Sequence, residues 1–196
     1  MFLVAGLGNP GEEYALTPHN LGFLTIDRLA GRHGIRVTRK DSRALVGVGE
    51  IDGHPVMLAK PQTYMNLSGD SLAPLMEKHS IEVDHLVVVY DELDLGWQAL
   101  KIKPKGSAAG HNGMQSVIGR LKTSEIVRVR LGIHPGHPLE SGADYLLAPM
   151  KRSQAKELDE FIDYAADAVR AIIAEGVEKA MTRYNRRAPG LKPEEV

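Results

Sequence analysis

The run Leu86-Val87-Val88-Val89-Tyr90 is apolar at every position and rich in β-branched side chains. A strand of that kind has no face to offer water, so both faces must be covered, which places it in the centre of a sheet with helices on either side. Its continuation, Asp91-Glu92-Leu93-Asp94, reads as an acidic turn at the strand's end. The remaining patterns can be hung on this strand. Phe2 to Leu7 is a second short apolar strand, leaving through a Gly-Asn-Pro-Gly turn. After Pro18, the residues Leu21, Leu24, Ile26, Leu29 and Ala30 have helical spacing and stop near Gly31 to Gly34. Asp52-Gly53 separates Ala44–Ile51 from Val56–Ala59, the signature of a hairpin. A helix is expected from Asn66 or Ser68 to His79, a half-exposed strand over 100–105, a helix from His111 to Leu121, and an alternating strand from Ile126 to Ile133. Lys151 to Tyr184 carries a long apolar stripe with a break near Gly176. The pattern predicts a single α/β domain, a twisted mixed β-sheet flanked by helices with a long amphipathic C-terminal helix, over 1–187, and a flexible tail over 188–196.

Composition narrows the function. At 196 residues the chain can bury roughly 70% of its unfolded surface in one core. Its 20 Gly and 11 Pro stay well under the roughly 25–30% that marks low-complexity disorder. No cysteine is present, which excludes disulfides, thiolate nucleophiles and iron–sulfur clusters and agrees with a reducing, cytoplasmic setting. No Lys or Arg precedes Arg28, and the apolar opening runs straight into Gly and Pro, so neither a signal peptide nor a membrane span is expected. The net charge of -1 supplies no global field for a polyanion; any such site must be a local patch. One exists: between Lys101 and Arg130 stand Lys101, Lys103, Lys105, Arg120, Lys122, Arg128 and Arg130 against the single acid Glu125, seven charges against one. Cations gathered without interleaved acids are what phosphate binding requires, the alternative being a solvated sheet face.

Gly6-Leu7-Gly8-Asn9-Pro10-Gly11 satisfies GxGxxG after a strand. A dinucleotide-dependent oxidoreductase would follow, but Glu12 and Glu13 would sit beside the pyrophosphate and Pro18 interrupts the helix that should receive it. The competing reading is a tight strand-exit turn that needs glycine at positive φ. His19 opens a helix from a loop, where a side chain can face a cleft. Asp91, at the end of a buried strand, occupies the place where open α/β sheets bind ligands, and needs a partner. Asn66 and Asn112 each precede a helical pattern, as caps or as substrate contacts. A metal held by His19, Asp91 and His111 is conceivable, though no HExxH pair exists.

Taken together, these segments resemble the bacterial-type peptidyl-tRNA hydrolase family almost end to end. FLVAGLGNPGEEYALTPHNLGF resembles its opening block, KPQTYMNLSG its second, VVVYDELDL its third and GSAAGHNG its fourth, and AMTRYN fits near the C-terminus. The chain departs from the family pattern at Pro18, at Ala109, and at Ile133-His134-Pro135-Gly136, all beside the site or on the rim of the basic patch.

The resemblance implies hydrolysis of the ester between a peptide's C-terminus and the 3′-terminal ribose of tRNA, without metal or cofactor; a monomer is the default expectation. His19 matches the catalytic histidine; an unperturbed imidazole titrates near about 6.5 and can deprotonate water at neutral pH. Asp91 matches its acidic partner. Asn66 and Asn112 match substrate-positioning amides, and Asn9 the residue that distinguishes a blocked peptidyl group from a free aminoacyl group. Tyr14 and Tyr64 match positions lining the tRNA end. Lys101, Lys103, Lys105, Arg128 and Arg130 would hold acceptor-stem phosphates. The non-enzymatic rival is an RNA-binding module of this fold that has lost catalysis.

Overall fold

The computed structural model describes residues 1–188. Its centre is β1 (Phe2–Gly6), hydrogen-bonded in parallel to β4 (His54–Pro61) on one side and to β5 (Leu86–Gly96) on the other. β5 pairs in parallel with β7 (Val127–His134), and antiparallel edges close the sheet: β2 (Arg39–Asp41) and β3 (Ala44–Ile51) beyond β4, and β6 (Leu100–Lys103) beyond β7. The order is β2-β3-β4-β1-β5-β7-β6, a seven-stranded mixed sheet.

Alternation along the central strands divides the core. Val4, Val87, Val89 and Val129 face α1 (Leu21–His33), α5 (Arg152–Glu175) and α6 (Val177–Tyr184). Leu3, Ala5, Val88 and Tyr90 face α2 (Ser68–Lys78) and α3 (Asn112–Leu121). Short α4 (Gly142–Leu147) packs on the turn Pro18–Asn20. The expected single α/β domain, with helices on both faces, is therefore present. Among the described residues no helix is long and apolar enough to cross a membrane.

Several boundaries differ from the sequence reading for identifiable reasons. The strand through Leu86–Tyr90 does not turn at its acids; it continues to Gly96, so Asp91 lies within β5 and not in a loop. β2 escapes notice because its hairpin turn is Ser42-Arg43, both at positive φ, where Asn-Gly is the usual signal. The strand expected over 100–105 stops at Lys103, before Pro104. The long C-terminal stripe does break where expected, at Gly176 with φ 94, into two helices. The expected tail, apart from Ala188, lies outside the described residues.

At the other end of the sheet, the chain folds back along the outer edge of β6. Arg186 exchanges both backbone hydrogen bonds with Leu100, and the Asn185 amide satisfies the N–H and C=O of Ile102. An exposed sheet edge is thereby shielded.

Candidate active site

The glycines of the GLGNPG segment set the geometry. A Cβ on Gly6 would strike the backbone of Gly22 in α1, and one on Gly8 would strike the Phe23 ring; Gly22 in turn lies flush against Leu7 and the carbonyl of Val89. Helix α1 is thus pressed onto β1 and β5 at its first turn, which brings His19 to the carboxyl ends of those strands. Only Gly11 uses positive φ, at 113. The strand-exit turn therefore requires a left-handed glycine at one position of three, and the other two exist for close helix packing, not for a pyrophosphate.

His19 lies in the short 3-10 turn Pro18–Asn20 and is buried, as is Asp91. His19 Nδ1 is 2.7 Å from Asp91 Oδ2, and Asp91 Oδ1 is 3.0 Å from Nε2 of His111. Burial pushes the Asp91 carboxyl up, but the two imidazoles outweigh it and hold the group below the usual carboxylate range. The tautomers follow from the donors. His111 is the N-cap of α3, and its Nδ1 accepts the Met114 N–H at 3.0 Å, so its proton is on Nε2 and is donated to Asp91. With Asp91 ionised, His19 donates from Nδ1, which leaves Nε2 as an unprotonated base.

The ligand atoms of His19, Asp91 and His111 lie within 4.8 Å of one another, a metal-like spacing. The donor chemistry does not fit a metal: the nitrogen that His111 would have to offer carries its proton, and moving that proton to Nδ1 would break the cap on α3.

Asn9 is held on three sides. Its N–H donates to Asn20 Oδ1 and its carbonyl accepts from Asn20 Nδ2, each at 2.9 Å, while its own Oδ1 accepts the Met65 N–H at 2.8 Å. With Oδ1 engaged, Asn9 presents its Nδ2–H group outward. Asn20 was visible in the sequence only as the neighbour of His19; the structure makes it the support of Asn9. Likewise His111 entered the sequence reading only as a conceivable metal ligand, and its capping position before an apolar helix was the available signal.

Asn66 and Asn112 are exposed and line one groove of about 380 Å³ between α2 and α3. Neither is a cap: Asn66 lies in the turn Met65–Leu67 before α2, and Asn112 is the first residue of α3, capped by His111. Tyr64 is 63% exposed, and Tyr14 is half-buried at the end of the Glu12–Tyr14 turn.

The basic patch is smaller than the alternation implied. Arg128 is fully buried and donates to the carbonyls of Ile126, Ser107 and Ser124 at 3.1, 2.8 and 2.8 Å. Arg130 is also buried and bonds Glu92, while Arg120 pairs with Asp70. Arg128 and Arg130 are thus corrected from solvent-facing phosphate ligands to internal ones, because β7 is covered on both faces. Lys101 and Lys105 are exposed and Lys103 half-exposed. The Lys103 ammonium is pushed down by burial and by Arg130, Lys101 and Arg128, three cations against the single opposing carboxylate of Glu92.

The family model described as peptidyl-tRNA hydrolase matches residues 3–192. The peptidyl-tRNA hydrolase of Solibacter usitatus is 79% identical over 196 residues, all of both chains. That of Koribacter versatilis is 49% identical, over 95% of this chain and 94% of its own. Among solved structures, peptidyl-tRNA hydrolase from Acinetobacter baumannii superposes with a TM-score of 0.89 at 33% identity, over 96% of each chain. An imidazole–carboxylate–imidazole chain at the carboxyl edge of the sheet and agreement along nearly the whole sequence lead to one assignment: this chain belongs to the peptidyl-tRNA hydrolase family and is a hydrolase whose substrate is peptidyl-tRNA.

Proposed function

We propose that the ester is cleaved by a water molecule activated at His19 Nε2. The observation that carries this reading is the double hold on Asp91, by His19 Nδ1 and by His111 Nε2. As water attacks the ester carbonyl, Nε2 takes its proton, and the imidazolium that forms lies against the Asp91 carboxylate. His111 cannot compete for that charge, since a second proton on its ring would displace the Met114 N–H. The tetrahedral oxyanion meets the amides of Asn66 and Asn112 and the positive ends of α2 and α3, which begin beside them. When the intermediate collapses, the imidazolium returns its proton to the ribose oxygen, and the peptide's new carboxylic acid releases the second water proton to solvent as it ionises.

Asn9 supplies the selection between blocked and unblocked substrates. Its outward group is a donor, which matches the carbonyl of a peptide bond and repels the ammonium of a free aminoacyl group. Tyr14 and Tyr64 border the entry of the 3′ CCA end, and Lys101, Lys103 and Lys105 hold acceptor-stem phosphate. All these groups come from one chain, so the reading needs no second copy, and its substrate places the activity in the cytoplasm.

The test is incubation with N-acetyl-aminoacyl-tRNA and its unblocked counterpart, with and without a chelator. The expected result is selective cleavage of the blocked ester, unchanged by the chelator. Equal cleavage of both, or loss of activity on chelation, overturns the reading.

A further inference from the structure

Strand β6 is four residues long, stops before Pro104, and meets another strand, β7, along one edge only. Its side chains divide between two faces. Leu100 and Ile102 are fully buried in the core shared with α5 and α6, so Lys101 and Lys103 point to the opposite face, where they reach water. A strand this short, held along one edge, frays readily, and a slip of one residue would exchange the lysines with the leucine and the isoleucine. Asn185 and Arg186 act on its free edge. Arg186 takes both backbone groups of Leu100, at 3.1 and 3.0 Å, and the Asn185 side chain takes both of Ile102, accepting its N–H at 2.6 Å and donating to its carbonyl at 3.3 Å. The segment is itself anchored: the Arg186 guanidinium lies 3.8 Å over the Tyr164 ring, its Nε donates to the Gln98 carbonyl at 3.1 Å, and the Tyr164 hydroxyl donates to the Tyr184 carbonyl at 2.8 Å.

Edge protection alone would be served by backbone pairing anywhere along β6. Here a side-chain amide is directed at Ile102, the residue between the two lysines, from 83 positions further along the chain. Packing contributes less to the hold, since a cavity of about 450 Å³ opens between residues 185–188 and the end of β5 at Asp94, Leu95 and Gly96. The grip on β6 therefore rests on the hydrogen bonds. On these grounds we infer that Asn185 is a positioning residue for tRNA: it touches no RNA, but it pins the register of β6 and so holds Lys101 and Lys103 where the acceptor-stem phosphates lie. A cation carried by a fixed strand is already in place, which leaves less ordering to be done on binding. The inference rests on the reading of these lysines as phosphate contacts and goes beyond it by making affinity for tRNA depend on the return of the chain along the sheet edge.

The test compares Asn185→Ala with the wild-type chain on two substrates, N-acetyl-aminoacyl-tRNA and the N-acetyl-aminoacyl ester of adenosine alone, over a range of salt. The variant is expected to raise KM for the tRNA by about threefold, the order of one neutral hydrogen bond, and to leave kcat for the tRNA and both constants for the adenosine ester at wild-type values. The slope of log KM against log salt is expected to flatten, because displaced lysines release fewer counterions; a loss of stability alone would not move that slope. A double-mutant cycle with Lys101→Ala plus Lys103→Ala identifies the route: in that background Asn185→Ala is expected to change tRNA KM no further. An unchanged tRNA KM in Asn185→Ala overturns the inference. So does a rise that persists in the double-lysine background, which would have Asn185 act elsewhere, and so does an equal loss on both substrates, which would make it a support of the fold. If Lys101→Ala with Lys103→Ala by itself leaves tRNA KM unaltered, the phosphate reading of the lysines fails and the inference falls with it; that outcome is visible without the Asn185 variant, so the two failures are distinguishable.

Discussion

Asp91 and Arg128 are the two most deeply buried charges of the sheet, on neighbouring parallel strands, at 1% and 0% exposure. Their partners differ in kind. Asp91 is bonded by two imidazoles, groups that can take or release a proton. Arg128 is bonded by three backbone carbonyls, which cannot. A buried charge against titratable side chains can change state during a reaction; one against carbonyls can only hold the chain where it is. Arg128 ties the loop at Ser107, which leads into the cap of α3, to the turn at Ser124, which leads into β7. On the proposed reading the first region performs the chemistry, and the second fixes the frame in which α3 delivers His111.

The largest expected effect breaks the first region. His19→Ala should lower kcat by about 10²–10⁴-fold in steady-state assays with blocked aminoacyl-tRNA, with little change in tRNA binding. Near-wild-type turnover would remove His19 from the reaction. The next breaks the second region. Arg128→Met removes the buried charge that ties three carbonyls together and should cost about 3–5 kcal/mol of stability in chemical denaturation, while kcat of the molecules that remain folded stays within about twofold. Should the variant keep its stability and lose tRNA affinity, Arg128 would be a phosphate ligand after all and the contrast would collapse.

How much of this could be read from the sequence follows the same division. Unbroken apolar runs specify central strands, and β1, β5 and the helices flanking them follow from that pattern. Asn9 and His19 stand at ends of such elements and Asp91 directly follows the apolar run of β5, positions from which a side chain can reach the sheet's carboxyl edge. Arg128 and Arg130 misled because a period of two assigns a face and says nothing about what covers it. The signal was in their neighbours: Ile126, Val127, Val129 and Leu131 leave little room for a solvated face. Asn20 and His111 were hidden for another reason. Each acts through one partner far along the chain, Asn9 and Asp91, and only the fold brings those partners together.

A third ionic cluster, remote from both regions, sharpens the comparison. Asp41 is held by hydrogen bonds from His79 and Lys78 at the C-terminal end of α2, which bring its carboxyl down to about 2. A carboxyl depressed in the folded state adds stability above its unfolded pKa, and that stability is lost as pH falls from about 3.8 towards about 2. Asp41→Asn should therefore flatten the acid limb of the stability curve in that window and leave kcat at neutral pH unchanged. An acid limb identical to wild type would mean that the cluster contributes nothing to folding.

The smallest effect concerns the cations that are exposed. Lys103 and Lys105 lie on the same flank as Arg128, yet they reach water, and Lys103 has surplus positive charge around it. If the carbonyl-bound arginine serves the frame and the free lysines serve the substrate, Lys103→Ala with Lys105→Ala should raise KM for full tRNA by about tenfold with kcat nearly constant, the mark of lost uniform binding. Stability should stay within about 0.5 kcal/mol, as expected for surface positions. The slope of log KM against log salt should flatten by roughly 0.7–0.9 for each phosphate contact removed. An ester on adenosine alone never reaches these lysines, so the double variant should hydrolyse it at the wild-type rate. Equal losses on the long and the short substrate would mean that the lysines support the active site through the fold, and the difference between the held cation and the free ones would then have no functional meaning.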